Sequence, residues 1–381
     1  MSATILIAVT HLLGSGHLVR AANLARALAG EGFAVTLASG GMPLRAMERE
    51  PFAFVQLPPV RTEGVDFRTL LDEAGQPVAP ERGAERIALL KAVAAGLRPD
   101  VVITEHFPFG RRQLAAEFLA LIAAARAANP KALVLSSVRD VLVTPRPDRI
   151  AEAQQRLAAL FDAVLIHGDA DFLPLDRSWP VDARLAAKLL YTGYMAEAPA
   201  VAAPIGNGEV LVSGGGSAAA VPLFELAIAA ARLGSPQRRW RILVGRAVSE
   251  DVFGRLRAEA PAHVVIERVR PDFPALLAGC AISISQAGYN TVLDLVAARR
   301  PAIVVPFDAG GETEQAIRAA AMEKAGLARR LRLSGEGALT PDDLAVAVEA
   351  GIGAVPPAIG LALDGARNAA AIVKQLLAQR V

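Results

Sequence analysis

A buried strand, a glycine-bearing turn and a helix follow one another at the start of the chain, and the same succession starts again near its middle. The first copy has an apolar run at residues 4–9, a turn at 11–17 and apolar residues at helical spacing over 18–29. A continuous apolar run is typical of a strand buried on both faces, and strands that alternate with helices predict parallel sheets covered by helices. The predicted fold class is therefore α/β, with two doubly wound, Rossmann-like domains.

Residues 196–208 read AEAPAVAAPIGNG and show neither helical nor strand periodicity. Such a stretch is typical of a linker, and a chain of 381 residues has room for about two domains. We expect an N-terminal domain at 1–195, a C-terminal domain at 209–362 and a last helix, within 363–381, that returns to the N-terminal domain. Because open α/β sheets bind ligands at the carboxyl ends of their strands, we expect the domains to face each other across a ligand-binding cleft.

Composition excludes several classes of protein. Hydrophobic residues make up 53% of the chain and the formal net charge is only +2, so neither a disordered chain nor a strongly basic nucleic-acid binder is expected. The single cysteine excludes an internal disulfide and a Cys-rich metal site. Because the first 19 residues contain no Lys or Arg and no apolar run reaches about 18 residues, we expect neither a signal peptide nor a membrane span, and hence a cytoplasmic protein.

The turn that opens the second half of the chain has three consecutive glycines between two serines. Without Cβ atoms the backbone can approach a ligand closely, and its N–H groups attract an anion together with the following helix N-terminus. The candidate phosphate-binding residues are Ser213, Gly214, Gly215, Gly216 and Ser217. The alternative is a glycine-rich turn without a ligand. No Gly-Lys-Ser/Thr follows, which excludes a Walker loop, and the turn at 11–17 lacks the third glycine of an NAD-type fingerprint.

Two further polar clusters each follow an apolar strand and precede a helix. The first occupies residues 285–291, and Asp294 stands near the start of the helix that follows, where its carboxylate can accept hydrogen bonds from ligand hydroxyls. In the second, Glu314 and Gln315 offer a carboxylate and an amide near a helix start, a pair that suits a polyol. Alternatively, Asp294 and Glu314 only stabilise their helices through the helix dipole.

Histidines stand at the ends of several predicted strands. His17 begins the first helix beside Gly16, and a neutral imidazole there can act as a base near pH 7, although it could instead cap the turn. His106, Arg139 and Asp140 also follow strands and could meet a substrate. We expect a structural role for the other three candidates, His167, His263 and Cys280.

The C-terminal half resembles the MurG-like glycosyltransferases of GT-B fold. The resemblance is carried by Ser-Gln-Ala-Gly at 285–288 through Asp294, and by Arg-Pro-Ala-Ile-Val-Val-Pro-Phe at 300–307, and it extends over nearly the whole chain. It implies that Asp294 bonds the ribose hydroxyls, that Glu314 and Gln315 hold the donor sugar, and that the glycine-rich loop cradles the diphosphate. The other donor-binding residues that the resemblance implies are Arg246, Val269, Gln286, Ala287, Gly288, Asn290 and Thr291.

Two features depart from that family. It usually has Glu at the position of Asp294 and Gln or Asp at the position of Glu314. The first turn, with Gly14, Gly16, His17 and Arg20, resembles instead the Gly-x-Gly-His-x-x-Arg motif of the UDP-sugar hydrolase in pseudaminic acid synthesis. In both relatives the histidine is thought to lie near the reacting sugar, which implies the same for His17.

Asp169 and Asp171 match the Asp-x-Asp pattern through which many glycosyltransferases hold a divalent metal ion. Two aspartates at this spacing are expected about once by chance in a chain of this length. We therefore interpret the pair as part of a loop and expect no metal cofactor.

The predicted function is metal-independent, inverting transfer of a sugar from a nucleotide diphosphate sugar, UDP-linked, to an unidentified hydroxyl acceptor. His17 is the predicted base, with His106 and Asp140 positioning the acceptor. Two alternatives keep the same donor site: a nucleotide-sugar hydrolase in which His17 activates water, and a non-catalytic sugar-nucleotide binding protein. A 2-epimerase is less favoured because its acidic and basic site residues are not evident.

One segment of the N-terminal half suggests a surface for peripheral membrane contact. Phe107, Phe109, Arg111 and Arg112 combine apolar and basic side chains within six residues. The same residues also suit a buried loop beside an ordinary helix.

Overall fold

Two parallel β-sheets, one in each of two compact units, carry the fold. Unit 1 comprises residues 1–195 and 361–381, and unit 2 comprises residues 196–360. The structure, a computed structural model, describes residues 2–380 except 13, 14, 45, 46, 48, 64, 65, 196–202, 207, 217, 308–312 and 336. Of the predicted site residues, Gly14 and Ser217 lie outside the described residues, as does most of the predicted linker.

Unit 1 contains a seven-stranded parallel sheet. Its strands are β1 (Thr4–Val9), β2 (Ala34–Ser39), β3 (Ala53–Gln56), β6 (Val101–Glu105), β7 (Leu133–Arg139), β8 (Ala163–His167) and β9 (Leu189–Tyr191). They lie in the order β3-β2-β1-β6-β7-β8-β9. A separate antiparallel hairpin is formed by β4 (Arg61–Glu63) and β5 (Asp66–Leu71).

Helices cover both faces of this sheet. They are α1 (Gly16–Gly30), α2 (Pro80–Leu97), α3 (Ala115–Ala128), α4 (Pro147–Leu160), the short α5 (Ala183–Ala186) and α12 (Gly365–Ala378). Alternate residues of β1 point to opposite faces, so Ile5 and Ile7 join the core beneath α1 and α12, while Leu6 joins the core beneath α2 and α3. Burial on both faces explains why β1 reads as an unbroken apolar run.

The last helix, α12, is part of unit 1. It packs against α1, and Ala369, Ala370 and Val373 are buried in the core that α1 also covers. The chain enters this helix at Gly365, where a Cβ would lie 2.7 Å from the carbonyl carbon of Tyr194, so only glycine fits without displacing the backbone.

Unit 2 contains a six-stranded parallel sheet in the order β12-β11-β10-β13-β14-β15. Its strands are β10 (Val210–Ser213), β11 (Trp240–Val244), β12 (Val264–Arg268), β13 (Ile282–Ser285), β14 (Ala302–Val304) and β15 (Arg329–Arg330). Its helices are α6 (Val221–Leu233), α7 (Glu250–Glu259), α8 (Phe273–Gly279), α9 (Tyr289–Ala298), α10 (Glu314–Lys324) and α11 (Pro341–Gly351). The prediction of an α/β fold with parallel, helix-covered sheets is confirmed.

The suggestion that Phe107 and Phe109 are exposed is wrong, and the alternative of a buried loop holds for these two residues. Phe107 is fully buried and stacks on Phe118, with ring centroids 4.9 Å apart. Phe109 is 2% exposed and meets Trp179 edge-on. These rings fill the core under α3, so they are not available to a membrane. None of the helices in the described ranges is both long enough and apolar enough to cross a bilayer.

Candidate active site

The topology of unit 1 creates a crevice at the ends of two neighbouring strands. Strands β1 and β6 are adjacent, yet the chain continues from β1 towards β2 on one side and from β6 towards β7 on the other. The loops that follow them therefore diverge, which is the geometry of ligand sites in open α/β sheets. His17 stands in the first turn of α1, after β1, and Glu105 ends β6.

His17 and Glu105 are hydrogen-bonded to each other in this crevice. The distance from Nδ1 of His17 to Oε1 of Glu105 is 2.8 Å, and Nη2 of Arg20 contacts the same carboxylate oxygen. The side chain of Glu105 is 1% exposed and that of His17 is 17% exposed. Although burial opposes ionisation, the charges of His17 and Arg20 hold the pKa of Glu105 well below its usual range. Glu105 is therefore a carboxylate that only accepts hydrogen bonds.

This pairing determines which nitrogen of His17 carries the proton. Because the Glu105 carboxylate accepts, Nδ1 of His17 must donate, which leaves Nε2 as the acceptor of the neutral ring. Burial lowers the pKa of His17 to about 4, against the opposing effect of Glu105, so the ring is neutral at pH 7. The arrangement can accept a proton at Nε2 and stabilise the resulting imidazolium through Glu105.

His106 lies beside His17. The two ring centroids are 5.5 Å apart in an edge-on arrangement, and Nδ1 of His106 is buried without a hydrogen-bond partner among the described residues. His106 has a left-handed backbone, φ 65°, and its ring packs against Gly110, where a Cβ would collide with it. Burial and the charge of Arg111 lower the pKa of His106 well below its usual value.

The other predicted residues of unit 1 lie further along the sheet edge. Asp140 follows β7, where its Oδ1 accepts from the backbone N–H of Val141 at 2.9 Å. His167 is fully buried between Ser137 and Thr192, at 2.8 and 2.9 Å, and burial lowers its pKa to about 3. The structure thus brings His17, Arg20 and His106 together around Glu105, and it places Asp140 one strand away.

Unit 2 has the same topology, and its crevice lies beside the glycine-rich loop. Strands β10 and β13 are adjacent, and Ser213 pairs with Ser285 at their carboxyl ends. The two loops after them therefore start side by side. Gln286 links them, because its Nε2 donates to the carbonyl oxygen of Ala219 at 3.4 Å.

Close packing fixes the shape of the glycine-rich loop. Gly215 has φ 65°, a backbone conformation that favours glycine. A Cβ on Gly214 would collide with Ala220, and a Cβ on Gly245, which follows β11, would lie 2.8 Å from the carbonyl carbon of Gly216. A residue larger than glycine at Gly214 or Gly245 would therefore displace the loop or the residues packed against it.

Helix α9 starts immediately after the second loop. Gly288 is its N-cap and supplies no side-chain acceptor to the N–H groups of the first turn. Such a helix N-terminus attracts anionic ligands. Ala287 is fully buried, Thr291 is half-buried and Asn290 is exposed. Asp294 is half-buried one turn further along, and burial raises its pKa to about 6.

The remaining predicted donor residues surround this region. Glu314, buried at the start of α10, forms an ion pair with Arg318 at 3.4 Å. Oε1 of Gln315 accepts from the backbone N–H of Phe307 at 3.0 Å, so its amide group holds the preceding loop. Arg246 is exposed after β11, and Val269 follows β12 and donates its N–H to the carbonyl of Val244 at 3.0 Å.

Asp169 is engaged by its own loop. Its Oδ1 accepts from the backbone N–H of Asp171 at 2.9 Å and its Oδ2 from that of Ala362 at 3.1 Å. Across the residues that the structure describes, no three His, Cys, Asp or Glu side chains are grouped to hold a metal ion.

Sequence reasoning missed the role of Glu105. Its only local signal is an acidic residue at the end of a buried apolar strand, directly before His106. Arg111, which the sequence suggests only for membrane contact, lies near the histidines of this crevice.

Comparisons with known proteins point to one family for unit 2. Residues 210–351 match the glycosyltransferase family 28 C-terminal domain. The chain is 33% identical over 145 residues, 37% of its length, to the UDP-N-acetylglucosamine--N-acetylmuramyl-(pentapeptide) pyrophosphoryl-undecaprenol N-acetylglucosamine transferase of Novosphingobium aromaticivorans. It is 32% identical over 163 residues, 39% of its length, to the enzyme of that name from Methylobacterium sp. strain 4-46. These matches span 36% and 43% of the relatives, so the chain matches less than half the length of each.

Solved structures resemble the chain over its whole length. MurG from Acinetobacter baumannii has a TM-score of 0.61 at 17% identity, with 100% of both chains covered. The glycotransferase of kitacinnamycin has a TM-score of 0.62 at 17% identity and covers 100% of this chain and 99% of its own. At these identities the likeness shows the fold alone, and it confirms the predicted GT-B, Rossmann-like architecture.

Proposed function

We propose that this chain transfers a sugar from a nucleotide diphosphate sugar to a hydroxyl acceptor. The premise is that residues 210–351 form a MurG-like, family 28 glycosyltransferase domain within a GT-B fold. The names of the relatives in this domain specify UDP-N-acetylglucosamine, which supports a UDP-linked donor here. The observation that carries the proposal is that Ser213 pairs with Ser285 at the carboxyl ends of β10 and β13. The glycine-rich loop and the loop before the N-terminus of α9 therefore start side by side inside the family domain.

In this proposal unit 2 binds the donor. The backbone N–H groups of residues 214–216 and of the first turn of α9 bind the diphosphate. Asp294 accepts hydrogen bonds from the ribose hydroxyls, and Glu314 and Gln315 contact the donor sugar. Arg246 and Val269 lie at the base, and Gln286 keeps the two phosphate-binding loops together.

In unit 1, His17 acts as the general base. Its Nε2 takes the proton of the acceptor hydroxyl as that oxygen forms a bond to the anomeric carbon of the donor sugar. The bond from this carbon to the diphosphate oxygen breaks, and the nucleoside diphosphate leaves with the electron pair. Attack from the face opposite the leaving group inverts the anomeric centre. Glu105 is a positioning residue, because it holds Nδ1 and stabilises the imidazolium without touching the substrate.

We also propose that no metal ion is needed. Backbone N–H groups and two helix N-termini would stabilise the departing diphosphate in place of a cation. Asp169, the first residue of the Asp-x-Asp pattern, has both carboxylate oxygens hydrogen-bonded to backbone N–H groups.

One observation favours a second candidate, hydrolysis of the nucleotide sugar. Arg20, the last residue of the hydrolase-like motif, contacts Glu105 and lies 3.1 Å from Nδ1 of His17. A histidine held in this way could equally accept a proton from water. Which of the two reactions takes place depends on whether a hydroxyl acceptor or water is bound beside Nε2.

The proposal is tested in two steps. Thermal unfolding is followed with UDP, GDP, TDP and their common sugars in the presence of EDTA, because a ligand that binds the folded state raises the midpoint. The sugar nucleotide that gives a shift is then incubated with and without a mixture of hydroxyl acceptors, and nucleoside diphosphate release is measured. Release that needs an acceptor supports the transferase, and release without one supports the hydrolase. Binding without release would leave a non-catalytic binding protein, and no shift with any nucleotide would contradict the donor site.

A further inference from the structure

Arg111 is a half-buried cation in the crevice of unit 1 that has no hydrogen-bond partner among the described residues. Its Nε is buried, and its guanidinium donates no hydrogen bond to any residue in the described part of the chain. The adjacent Arg112, by contrast, is exposed. A guanidinium stays protonated at any physiological pH, so the charge of Arg111 remains in place.

Several charged groups act on Arg111. Burial lowers the pKa of Arg111, the carboxylate of Glu105 raises it, and the charges of Arg139 and Arg20 lower it further. Glu105 is the nearby carboxylate. Its Oε1 accepts from His17 and Arg20, and its buried Oε2 has no hydrogen-bond partner among the described residues, so Glu105 accepts no hydrogen bond from Arg111. After burial itself, the charge of Arg111 is the strongest influence that lowers the pKa of His106. Among the described residues that act most strongly on Arg111, Glu105 supplies negative charge, and Arg139 and Arg20 supply positive charge.

The backbone that carries Arg111 is held in an unfavourable conformation. Arg111 has φ 58° and His106 has φ 65°, so two non-glycine residues within six positions are left-handed. Between them, Gly110 lies so close to the His106 ring that a Cβ would collide with it. Such strain is most often found where a segment positions groups for a ligand. Here the strained segment, residues 106–111, presents one imidazole and one guanidinium at the sheet edge.

We propose that Arg111 binds an oxyanion group, a carboxylate or a phosphate, of the acceptor beside His17. The planar fork of a guanidinium matches such a group with two parallel hydrogen bonds. A bound anion would accept the hydrogen bonds that the Arg111 guanidinium does not make to the described residues. We assign it to the acceptor because Arg111 belongs to the crevice that contains the base, whereas the donor diphosphate is assigned to unit 2; this assignment rests on the proposed function.

The subsite determines which acceptors react. A neutral acceptor of the same shape would leave the half-buried Arg111 without an anionic partner. A site built for a charged group rejects an analogue that lacks the charge much more strongly than it rejects a small change of shape. The acceptor is therefore an acidic molecule whose reacting hydroxyl lies close to its oxyanion.

The test uses the full chain saturated with UDP, so that the diphosphate site of unit 2 is filled. Inorganic phosphate and, in a separate series, malonate are titrated while the imidazole resonances are followed by NMR. Both phosphate and malonate carry oxyanion groups. The anion that binds with the lower Kd shows whether the acceptor group is a phosphate or a carboxylate. The resonances of His106 and His17 should shift with a single Kd, and that of His263 in unit 2 should not.

Two arginine variants make the assignment specific. Arg111→Gln should weaken anion binding at least tenfold, whereas Arg112→Gln, the exposed neighbour, should change it less than twofold. If Arg111→Gln does not fold, the wild-type titration still tests the inference. The inference is overturned if neither anion shifts the His106 resonance in the wild type. It would also be overturned by equal anion affinity in Arg111→Gln and wild type, or by Arg111→Gln weakening UDP instead of the titrated anion.

Failure of this inference differs from failure of the proposed function. If UDP gives no thermal shift, the donor site is contradicted, yet the histidine resonances still report whether an anion binds at Arg111. If UDP binds and neither anion shifts the His106 resonance, the acceptor subsite is contradicted and the transferase proposal is unaffected.

Discussion

Nδ1 of His17 lies 2.8 Å from Oε1 of Glu105, although the two residues are 88 positions apart in the chain. The contact exists because β1 and β6 are neighbours in the sheet and the segments after them share one edge. It orients the imidazole so that Nε2 is the free acceptor, and it places a carboxylate where positive charge would develop on the ring. Most of the following predictions depend on this pair or on the corresponding edge of unit 2.

His17→Ala should lower kcat by about 10²- to 10⁴-fold, the usual contribution of a general base. Donor affinity should change less than twofold, because the donor is assigned to unit 2. Steady-state kinetics and calorimetric titration of the sugar nucleotide measure the two quantities, with His263→Ala as the control. Equal losses of kcat and donor affinity would contradict the assigned role.

Glu105→Gln should reduce kcat by a smaller factor, about 10- to 100-fold, while Glu105→Asp recovers part of it. The reason is that Glu105 orients His17 and stabilises its charged form without contacting substrate. A purely structural role would instead lower the midpoint of thermal unfolding in both variants and leave the pH profile unchanged.

On the acid side of its pH profile, kcat/KM should fall to half its maximum near pH 4 rather than near pH 6.5. This follows because burial lowers the pKa of His17 to about 4, and the ring must be neutral to accept a proton. Glu105→Gln should move this midpoint to still lower pH, because removal of the negative charge makes the imidazolium less stable. A midpoint between pH 6 and 7 in the wild type would show that His17 is not the base.

UDP affinity should fall as the pH drops below about 6. Burial raises the pKa of Asp294 to about 6, and the ionised carboxylate is the better acceptor for ribose hydroxyls. We expect a loss of up to about tenfold between pH 6 and pH 5. Asp294→Asn should bind UDP more weakly at pH 7.5 and lose this pH dependence, whereas Asp342→Asn, an exposed aspartate of α11, should behave as wild type. The same pH dependence in Asp294→Asn would exclude Asp294 as its cause.

Gly245→Ala should weaken nucleotide binding about tenfold or more. A Cβ there would collide with the backbone of residues 215–216 and displace the glycine-rich loop. The control is Gly254→Ala in α7, where a Cβ meets nothing within 4 Å. This change should leave affinity intact and stabilise the fold by up to about 1 kcal/mol through helix propensity. Unchanged affinity in Gly245→Ala would argue against the loop as the phosphate site.

Unit 1 should lose stability as the pH falls from about 6.5 towards 3. Burial lowers the pKa of His167 to about 3, so the unfolded chain takes up the proton first and stability is lost as the pH decreases. This single group costs about 1.4 kcal/mol per pH unit in that window. Urea unfolding of Trp240→Phe, which leaves Trp179 of unit 1 as the only tryptophan, measures the slope. Adding His167→Gln should make the slope shallower, and an identical slope would exclude His167 as a contributor.

The sequence by itself determined the secondary structure and the character of the loops. Apolar runs such as 4–9 and glycine-rich turns such as 213–217 depend on interactions within a few residues, so their pattern is visible along the chain. The placement of Asp294 just inside a helix is local in the same sense. These features were sufficient to predict parallel α/β sheets and the C-terminal resemblance, both of which are confirmed.

Tertiary structure alone decided which groups meet. The partner of His17 depends on strand order, because β1 lies between β2 and the distant β6, and no local pattern encodes that β6 is the second neighbour of β1. The same holds for Phe107 and Phe109, whose sequence suggested an exposed apolar surface while packing under α3 buries them. The position of Arg111 beside the histidines, half-buried and without a hydrogen-bond partner among the described residues, is likewise a property of the assembled fold.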